Sequence, residues 1–571
     1  MAHTAFTAER QTRETRTHGH MSAATRRRGG SYFAALSSCP CAAPDRRVSV
    51  ALRLILFILL LPSLPAVAQD VERQRERQVA GPTGVAPAAT APAPPAPKTL
   101  EELHTRLQEI LRDPRLEPAQ TAIKVASLDT GRTLYEENAT KLLKPASNMK
   151  LYTVAAALDR LSPDFRFKTS IYVTARPDAS GAVRGDLIVY GRGDPTMAAS
   201  LNNGDYFKAM DTLAARIAAA GVRRVEGDII GDESYFTGPP YGSGWEWDDL
   251  QWYYGAEISA LTVNDNALDL FVKPGPAVGD PCRVMTGPIT PLVTIINRTT
   301  TALRGTRREL SVYRGLGENV IEVSGQLAQD DAGYTGSIAI SRPALLFVSM
   351  LRDSLARQGI KIKGRTRAID ARARAAAPLP ASLVEIASLE SPPLSFIAAQ
   401  ILKPSQNLYT ELLLRALGRA TATDPKLTSA EAGTAAVKAF LREAGIDPDR
   451  LALVDGSGLS RRDLVTAEAT LQLLVYMSRH RYAAAFRDAL PVAGVDGTLK
   501  NRMKWTPAAG NARAKTGTLG GVATLSGYVT SAAGERLVFS IMINNSLDEF
   551  DVRRNFIDNI VVLLASFAGR S

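Results

Sequence analysis

Lys144-Pro145-Ala146-Ser147-Asn148-Met149-Lys150-Leu151 is the stretch on which the reading of this chain turns. Pro145 suits the first turn of a helix, where a backbone without an N–H costs nothing. The run Leu151-Tyr152-Thr153-Val154-Ala155-Ala156-Ala157-Leu158 continues it at helical spacing. Ser147 and Lys150 stand three apart, so the spacing puts both side chains on one helix face. A serine hydroxyl is a poor nucleophile at neutral pH until a neighbouring base takes its proton. An amine one turn away, withdrawn from water and close to other cations, can be that base.

Taken alone, Ser-x-x-Lys also fits a chance pair on a solvated helix. Two later stretches change the weighing: Ser405-Gln406-Asn407, and Lys515-Thr516-Gly517-Thr518. Pro393 to Leu402 and Leu408 to Leu417 read as helices, which leaves Ser405 in the loop between them. From there its hydroxyl can pass a proton, and Asn407 can donate to a substrate amide. The plainer alternative has Ser405 capping the second helix. The third stretch begins a strand, with Lys515 as a fixed cation and hydroxyls from Thr516 and Thr518; an exposed β-turn is its plainer alternative. Gly517 leaves room for an extended substrate to join the strand edge. The backbone N–H groups of Ser147 and Thr518 would form an oxyanion hole.

Composition narrows the chemistry. At 571 residues the chain exceeds one ordinary core, so two to four domains are expected. Nine arginines against three acidic residues in 1–68 account for more than half of the +11 net charge. The remainder carries no nucleic-acid footprint. Of the five histidines only His104 and His480 lie beyond residue 68, both in charged helical contexts that read as surface. Neither has a motif that would support a Ser–His–Asp mechanism. Cys282 is the one cysteine past residue 68, which leaves no intrachain disulfide and no Cys/His zinc cluster. By elimination, hydrolytic chemistry here would run on a lysine base.

In chain order, residues 46–68 read as a secretory signal. Arg46, Arg47 and Arg53 precede the apolar run Leu54 to Leu61, and Ala66-Val67-Ala68 is a small-residue cleavage site. The apolar run is short for a membrane span. No cysteine stands directly after Ala68, where Gln69 is, which argues against a lipoprotein. Residues 1–45 are unusual ahead of a signal, so Met21 or a later codon is the expected start. Residues 69–98 turn Pro/Ala-rich and read as a disordered or polyproline-like tether.

Leu103, Leu107, Ile110 and Leu111 mark a first amphipathic helix. Ala122–Leu128 and Thr133–Tyr135 read as a hairpin turned at Asp129-Thr130-Gly131. From Phe167 to Ala387 the texture shifts to short strands and glycine turns. Candidate strands are Thr169–Thr174, Gly185–Tyr190, Arg224–Ile230 and Ala267–Lys273. Helices are expected over Tyr206–Ala220 and Ala344–Gln358, each stopped by glycine. More than 250 residues separate Ser147 from Ser405, more than a minimal serine–lysine hydrolase needs, so this block reads as an insertion. Downstream, Thr466–Arg479 is helical, and three strands follow from Arg513, Gly527 and Leu537. Phe556–Phe567 is a last apolar helix, read as packing on the sheet with a membrane anchor as the alternative. No internal repeat is found.

The three signatures, in this order, are those of penicillin-binding proteins and serine β-lactamases. From about residue 100 onward the sequence resembles the class C penicillin-binding proteins, the D-alanyl-D-alanine carboxypeptidase/endopeptidases of peptidase family S13. The resemblance extends to Gly193-Asp194-Pro195-Thr196, Ser391-Pro392-Pro393-Leu394, Asp455-Gly456-Ser457-Gly458-Leu459-Ser460-Arg461, Pro491 to Leu499 and Ser526-Gly527-Tyr528-Val529. Arg192-Gly193-Asp194 mimics an adhesion tripeptide but reads here as a turn after a strand. The resemblance implies an α/β (α+β) fold: a penicillin-binding-protein/β-lactamase-like transpeptidase domain in two parts, 99–166 and 388–571. A large, mostly β insert of one or two domains, 167–387, would divide them.

That resemblance further implies a periplasmic DD-peptidase acting on peptidoglycan stem peptides without a cofactor, and β-lactams as covalent inhibitors. Peripheral membrane or wall association is compatible with it, and the oligomeric state stays open. Ser147 would be the nucleophile, Lys150 its base and Ser405 a proton relay, with Asn407 positioning substrate. Lys515 would support the relay or the terminal carboxylate, which Thr516 and Thr518 also bind. The middle signature has Gln406 where the family has Asp or Asn, and the relay atoms survive. Trp245-Glu246-Trp247-Asp248-Asp249 and Tyr254 resemble a family segment reaching toward the site. On that resemblance Asp249 would pair with the free amine of a diamino acid over Tyr254, with Arg461 lining the same cleft. An acidic-aromatic surface loop is the alternative. Two other functions fit the signatures less well: a β-lactamase or esterase on the same fold, told apart by rapid β-lactam turnover, and a non-catalytic wall-binding module, which needs neither lysine.

Overall fold

The structure, a computed structural model, describes residues 95–378 and 382–571. The signal of 46–68 and the tether up to residue 94 lie outside the described residues. Helix α1 (Leu100–Leu111) is capped by Thr99, whose side chain accepts from the Glu102 N–H, and buries Leu103 and Leu107 as the periodicity requires. Strands β1 (Gln120–Ser127) and β2 (Thr133–Glu137) form the expected hairpin, and α2 (Met149–Leu161) follows the Ser147 turn.

The insertion begins with β3 (Lys168–Val173), β4 (Ala182–Val183) and β5 (Leu187–Tyr190), then α3 (Lys208–Ala219). The single strand expected over Arg224–Ile230 is instead two, β6 (Arg224–Val225) and β7 (Ile229–Asp232), in different sheets. Gly227 lies between them, where a Cβ would come within 2.3 Å of the Asp186 carboxylate. There follow β8 (Ala267–Lys273), β9 (Arg283–Gly287), β10 (Thr294–Ala302), β11 (Glu309–Arg314), β12 (Val320–Ala328) and β13 (Tyr334–Ala339). Helix α4 (Pro343–Arg357), β14 (Lys361–Ile362), β15 (Thr366–Ile369), the short α5 (Ala371–Ala376) and β16 (Val384–Glu390) close the block.

One five-stranded sheet, ordered β15-β7-β5-β3-β16, organises the insertion. Its first and last strands, β3 and β16, pair antiparallel, Lys168 opposite Glu390. The chain therefore enters and leaves side by side, which is how so long a block can sit within another unit without pulling its halves apart. Leu187, Val189, Ile229, Leu213, Ile217, Phe347 and Leu351 share one core with this sheet, α3 and α4. Leu270, Val272, Ile321, Val323 and Cys282 form a second, smaller core among the three-stranded sheets.

The remaining chain supplies α6 (Leu394–Leu402), α7 (Asn407–Thr421), α8 (Ser429–Glu443), α9 (Ala467–Arg479) and α10 (Ala483–Asp488), then β17 (Arg513–Leu519), β18 (Val522–Thr530), β19 (Arg536–Asn544) and α11 (Phe550–Ser566). Helix α8 is missing from the sequence expectations, although Thr428 and Glu431 form a capping box. Five antiparallel strands, ordered β17-β18-β19-β1-β2, join the two ends of the chain in one sheet.

Both faces of this sheet are covered. Along β19, Leu537, Phe539, Ile541 and Ile543 pack with α1 and α11, while Val538 and Met542 face the helical side built from α2 and α6–α9. A central strand buried on both faces reads as a continuous apolar run, as this one does. Helix α11 packs on the sheet through Phe556, Ile557, Ile560 and Leu564, and no helix among the described residues is long and apolar enough to cross a membrane.

Several carboxyls are buried without a compensating cation. Burial pushes Asp194 and Asp265 up to about 6 and Glu233 up to about 7. Between about pH 4 and about pH 7 the folded chain holds protons that the unfolded chain has released, so these groups make stability fall as pH rises through that window. Exposed carboxylates held low, such as Asp178 under bonds from Ser180 and Arg184, lose their contribution only below it. Melting is therefore expected at a lower temperature at about pH 8 than at about pH 5.5. Asp194→Asn, which cannot ionise, should narrow that gap in a calorimetric scan, and an unchanged gap would contradict the assignment.

Candidate active site

The turn carrying Ser147 is pinned to the five-stranded sheet at three points, Lys144, Pro145 and Asn148. The Lys144 N–H donates to Oδ1 of Asn544 (2.8 Å), and Oγ1 of Thr524 donates to the Pro145 carbonyl (2.9 Å). Nδ2 of Asn148 donates to Oγ of Ser526 (2.9 Å), which bonds on to Ser540 (2.9 Å). Ala146 takes φ +46°, a left-handed conformation that a residue with a Cβ holds only under constraint. Ser147 then sits in a single 3-10 turn, Ala146–Asn148, that runs straight into α2.

Lys150 is fully buried. Its Nζ donates to Oγ of Ser147 (2.9 Å), Oδ1 of Asn407 (2.7 Å) and the Ser457 carbonyl (2.7 Å). Residues from three distant stretches thus meet on one amine. Ser405 stands in the loop between α6 and α7 at φ +64°. It does not cap α7: that role belongs to Gln406, whose side chain accepts from the Leu408 N–H. Lys515, also fully buried, donates from Nζ to Oγ of Ser405 (2.8 Å) and to the Thr516 carbonyl (2.8 Å). Oγ1 of Thr516 donates to Oγ1 of Thr498 (2.8 Å), a residue sequence reading did not single out.

Asn407 and Gly517 also have work within the protein itself. Nδ2 of Asn407 donates to the Tyr254 carbonyl (2.9 Å), so the amide is oriented by the insertion on one side and by Lys150 on the other. Gly517 is closely surrounded where a side chain would begin. A Cβ there would lie 2.2 Å from Thr524 Oγ1 and 2.6 Å from the Pro145 carbonyl, so its bareness lets β17 press against the Ser147 turn.

The glycine-rich loop after residue 454 closes the far side. Oδ1 of Asp455 accepts the Gly458 N–H (2.6 Å), while its Oδ2 accepts from Ser460 N–H (2.8 Å) and Trp245 Nε1 (2.8 Å). Glu411, one helical turn after Asn407, accepts the N–H groups of Gly456 and Ser457 on Oε1, both at 2.9 Å. Ser457 and Glu411 were not among the sequence candidates. The available signal was the i+4 spacing of Glu411 from Asn407.

Asp249, Arg461 and Tyr254 lie around this cluster. Asp249 is buried, and its carboxylate is already bonded to the Arg461 guanidinium, which also reaches Glu246 at 3.0 Å. The Tyr254 ring packs with Trp245 against Ala146, Leu459, Leu519 and Val522. The tripeptide at Arg192 is a turn after β5, with Asp194 buried and bonded to Thr196. His480 is a further correction. Its side chain is 7% exposed, with Nε2 3.1 Å from Asp159, so it is not a surface residue. It sits beyond the C-terminal end of α2, whereas Ser147 precedes the N-terminal end.

Comparison with known proteins follows the same lines. Residues 103–567 match the D-Ala-D-Ala carboxypeptidase 3 (S13) family. The D-alanyl-D-alanine carboxypeptidase of Actinomadura sp. (strain R39) is 36% identical over 484 residues, 82% of this chain and 86% of that protein. The crystal structure of penicillin binding protein 4 from Haemophilus influenzae superposes with a TM-score of 0.69 at 24% identity, covering 81% of this chain and 99% of that one. Its complex with a β-lactam gives 0.65 at 22%, over 81% and 100%. With a match across most of its length and a serine–lysine pair in bonding contact, the chain belongs to the D-Ala-D-Ala carboxypeptidase 3 (S13) family of serine peptidases.

Proposed function

We propose that Ser147 carries an acyl-enzyme in the hydrolysis of peptidoglycan stem peptides, either at the terminal D-Ala-D-Ala bond or at the D-Ala–diamino acid cross-link. One observation supports this most: the set of partners around Lys150. Oδ1 of Asn407 and the Ser457 carbonyl can only accept. An uncharged amine gives them its two hydrogens and turns its lone pair to the Ser147 hydroxyl, which then donates. The proton passes from Oγ to Nζ as Oγ bonds to the substrate carbonyl carbon. Negative charge on the carbonyl oxygen falls to the N–H groups of Ser147 and Thr518. The proton now on Nζ of Lys150 is handed on through Ser405, beside Lys515, to the leaving amine, which departs as the acyl-enzyme forms and leaves Lys150 uncharged again. Water then attacks the ester as Nζ of Lys150 accepts its proton, and that proton returns to Oγ of Ser147 as the ester bond breaks and the carboxylic acid leaves.

Thr516 and Thr518 hold the terminal carboxylate, with Lys515 as the nearby cation. β-Lactams imitate the D-Ala-D-Ala amide, and the protein is a serine DD-peptidase that they acylate. Residues 46–68, read as a secretory signal cleaved near Ala68, support a periplasmic location, with which peripheral contact to wall or membrane is compatible. A fluorescent penicillin should label the mature protein covalently, and Ser147→Ala should show neither labelling nor D-alanine release from a pentapeptide muropeptide. Labelling of the alanine variant would end the proposal, and rapid turnover of the β-lactam would point to a β-lactamase.

The diamino acid reading rests on Asp249 shared between Arg461 and an incoming ammonium. Loss of one charge-assisted contact is worth roughly tenfold or more in KM. Asp249→Ala should raise KM by that factor for a muropeptide with a free diaminopimelate amine, and much less for its N-acetylated form. Equal cleavage of both by variant and wild type would reject it.

A further inference from the structure

We propose that Glu411 is a positioning residue for the Lys150 amine, its carboxylate clamping Gly456 and Ser457 so that the Ser457 carbonyl meets the amine in register with Ser147. This rests on the serine–lysine reading above. Asn407 and Glu411 stand four apart on α7, one above the other on the same face. One helix therefore holds the amine twice: directly through Oδ1 of Asn407, and at one remove through Glu411, Ser457 and the Ser457 carbonyl. Oγ1 of Thr153, three residues beyond Lys150 and on the same face of α2, donates to the Gly456 carbonyl (2.8 Å) and fixes the same loop from the other side.

A plain structural role needs only an acceptor for two N–H groups, which an uncharged glutamine supplies equally. The chain instead buries a carboxylate near Asp455, itself beside Asp463, with the Arg415 guanidinium one turn on along α7 and Lys150 on the other side of Ser457. Burying such a group is costly unless its charge is used. Burial, followed by the Asp455 charge, pushes Glu411 up to about 7, with Arg415 opposing. Above that pH the ionised carboxylate grips both N–H groups with charge-assisted bonds, and below it the protonated acid grips them weakly. Placement of the Lys150 amine then depends on the state of a group that never touches substrate.

The test is the second-order rate of acylation of the mature protein by a fluorescent penicillin, followed from about pH 5.5 to about pH 8.5. Wild type should lose rate on the acid side through an inflection near neutrality. Glu411→Gln should acylate roughly tenfold more slowly at the alkaline end and lack that inflection, with its melting temperature reporting that it folds. A glutamine variant with the wild-type inflection and rate would overturn the proposal. Asp455→Asn removes the charge that raises Glu411, so it should move the inflection to lower pH, and an unmoved inflection is equally fatal. This second variant keeps the test decisive if Glu411→Gln does not fold. Absence of any acylation at Ser147 in the wild type would instead undo the serine–lysine reading itself.

Discussion

Lys150→Met is expected to slow acylation of Ser147 by at least about 10³-fold, the upper range of what a positioned general base contributes. Methionine matches the length and apolar stem of lysine, so the helical core around α2 should survive. What is lost is the amine that meets Ser147 at 2.9 Å. The Asn407 Oδ1 and the Ser457 carbonyl lose a donor, at a cost of about 1–3 kcal/mol each if they stay unsatisfied. Removing a buried cation offsets part of that, so melting should move by only a few degrees. Stopped-flow acylation with intact near-ultraviolet dichroism would show a folded, inert protein. Acylation within tenfold of wild type would mean that another group takes the serine proton.

Gly458→Ala should do comparable damage from outside the chemistry. A Cβ on Gly458 would lie 1.8 Å from the Ala146 carbonyl and 2.9 Å from the Met149 Cβ, and the residue sits at φ +77°. Neither the backbone oxygen nor the first turn of α2 can yield cheaply, because Lys144, Pro145 and Asn148 are all tied to the sheet. The left-handed φ alone costs about 1 kcal/mol or more for a residue with a Cβ. Displacing Ser147 by about 1 Å costs about 10²-fold in rate. The variant should therefore lose at least that factor in acylation and melt lower than wild type. Gly445→Ala, also at positive φ but with open space around its Cβ position, should pay only the conformational cost and keep its activity. Similar losses in both variants would show that φ, not the clash, is what Gly458 provides.

Much of the fold was legible because its signals are local. The 3.6-residue period over Leu151–Leu158, the stop glycines after α3 and α4 and the apolar run from Leu537 each reflect a few neighbouring residues. The misreadings arise where distant stretches meet. Arg224–Ile230 reads as one apolar run, and only the close approach of Gly227 to residues 185 and 186 divides it between two sheets. The bareness of Gly517 gives no hint in sequence that the Ser147 turn presses against it. His480 looks exposed in a charged sequence, yet its ring is enclosed by Asp159, Tyr476 and Tyr482.

The sequence by itself determined that Ser147 and Lys150 share a helix face, because that follows from residue spacing alone. It also placed Ser405 in a loop and Lys515 on a strand. Only the tertiary structure decided that Asn407 and the Ser457 carbonyl converge on the Lys150 amine, that Lys515 meets Ser405, and that Asp249 is already held by Arg461. Those partners lie 110 to 307 positions apart in the chain. Helical and strand periods carry information across a few residues, whereas contacts at such separations exist only once the sheet has joined the two ends of the chain and β3 and β16 have brought the insertion back to its starting point.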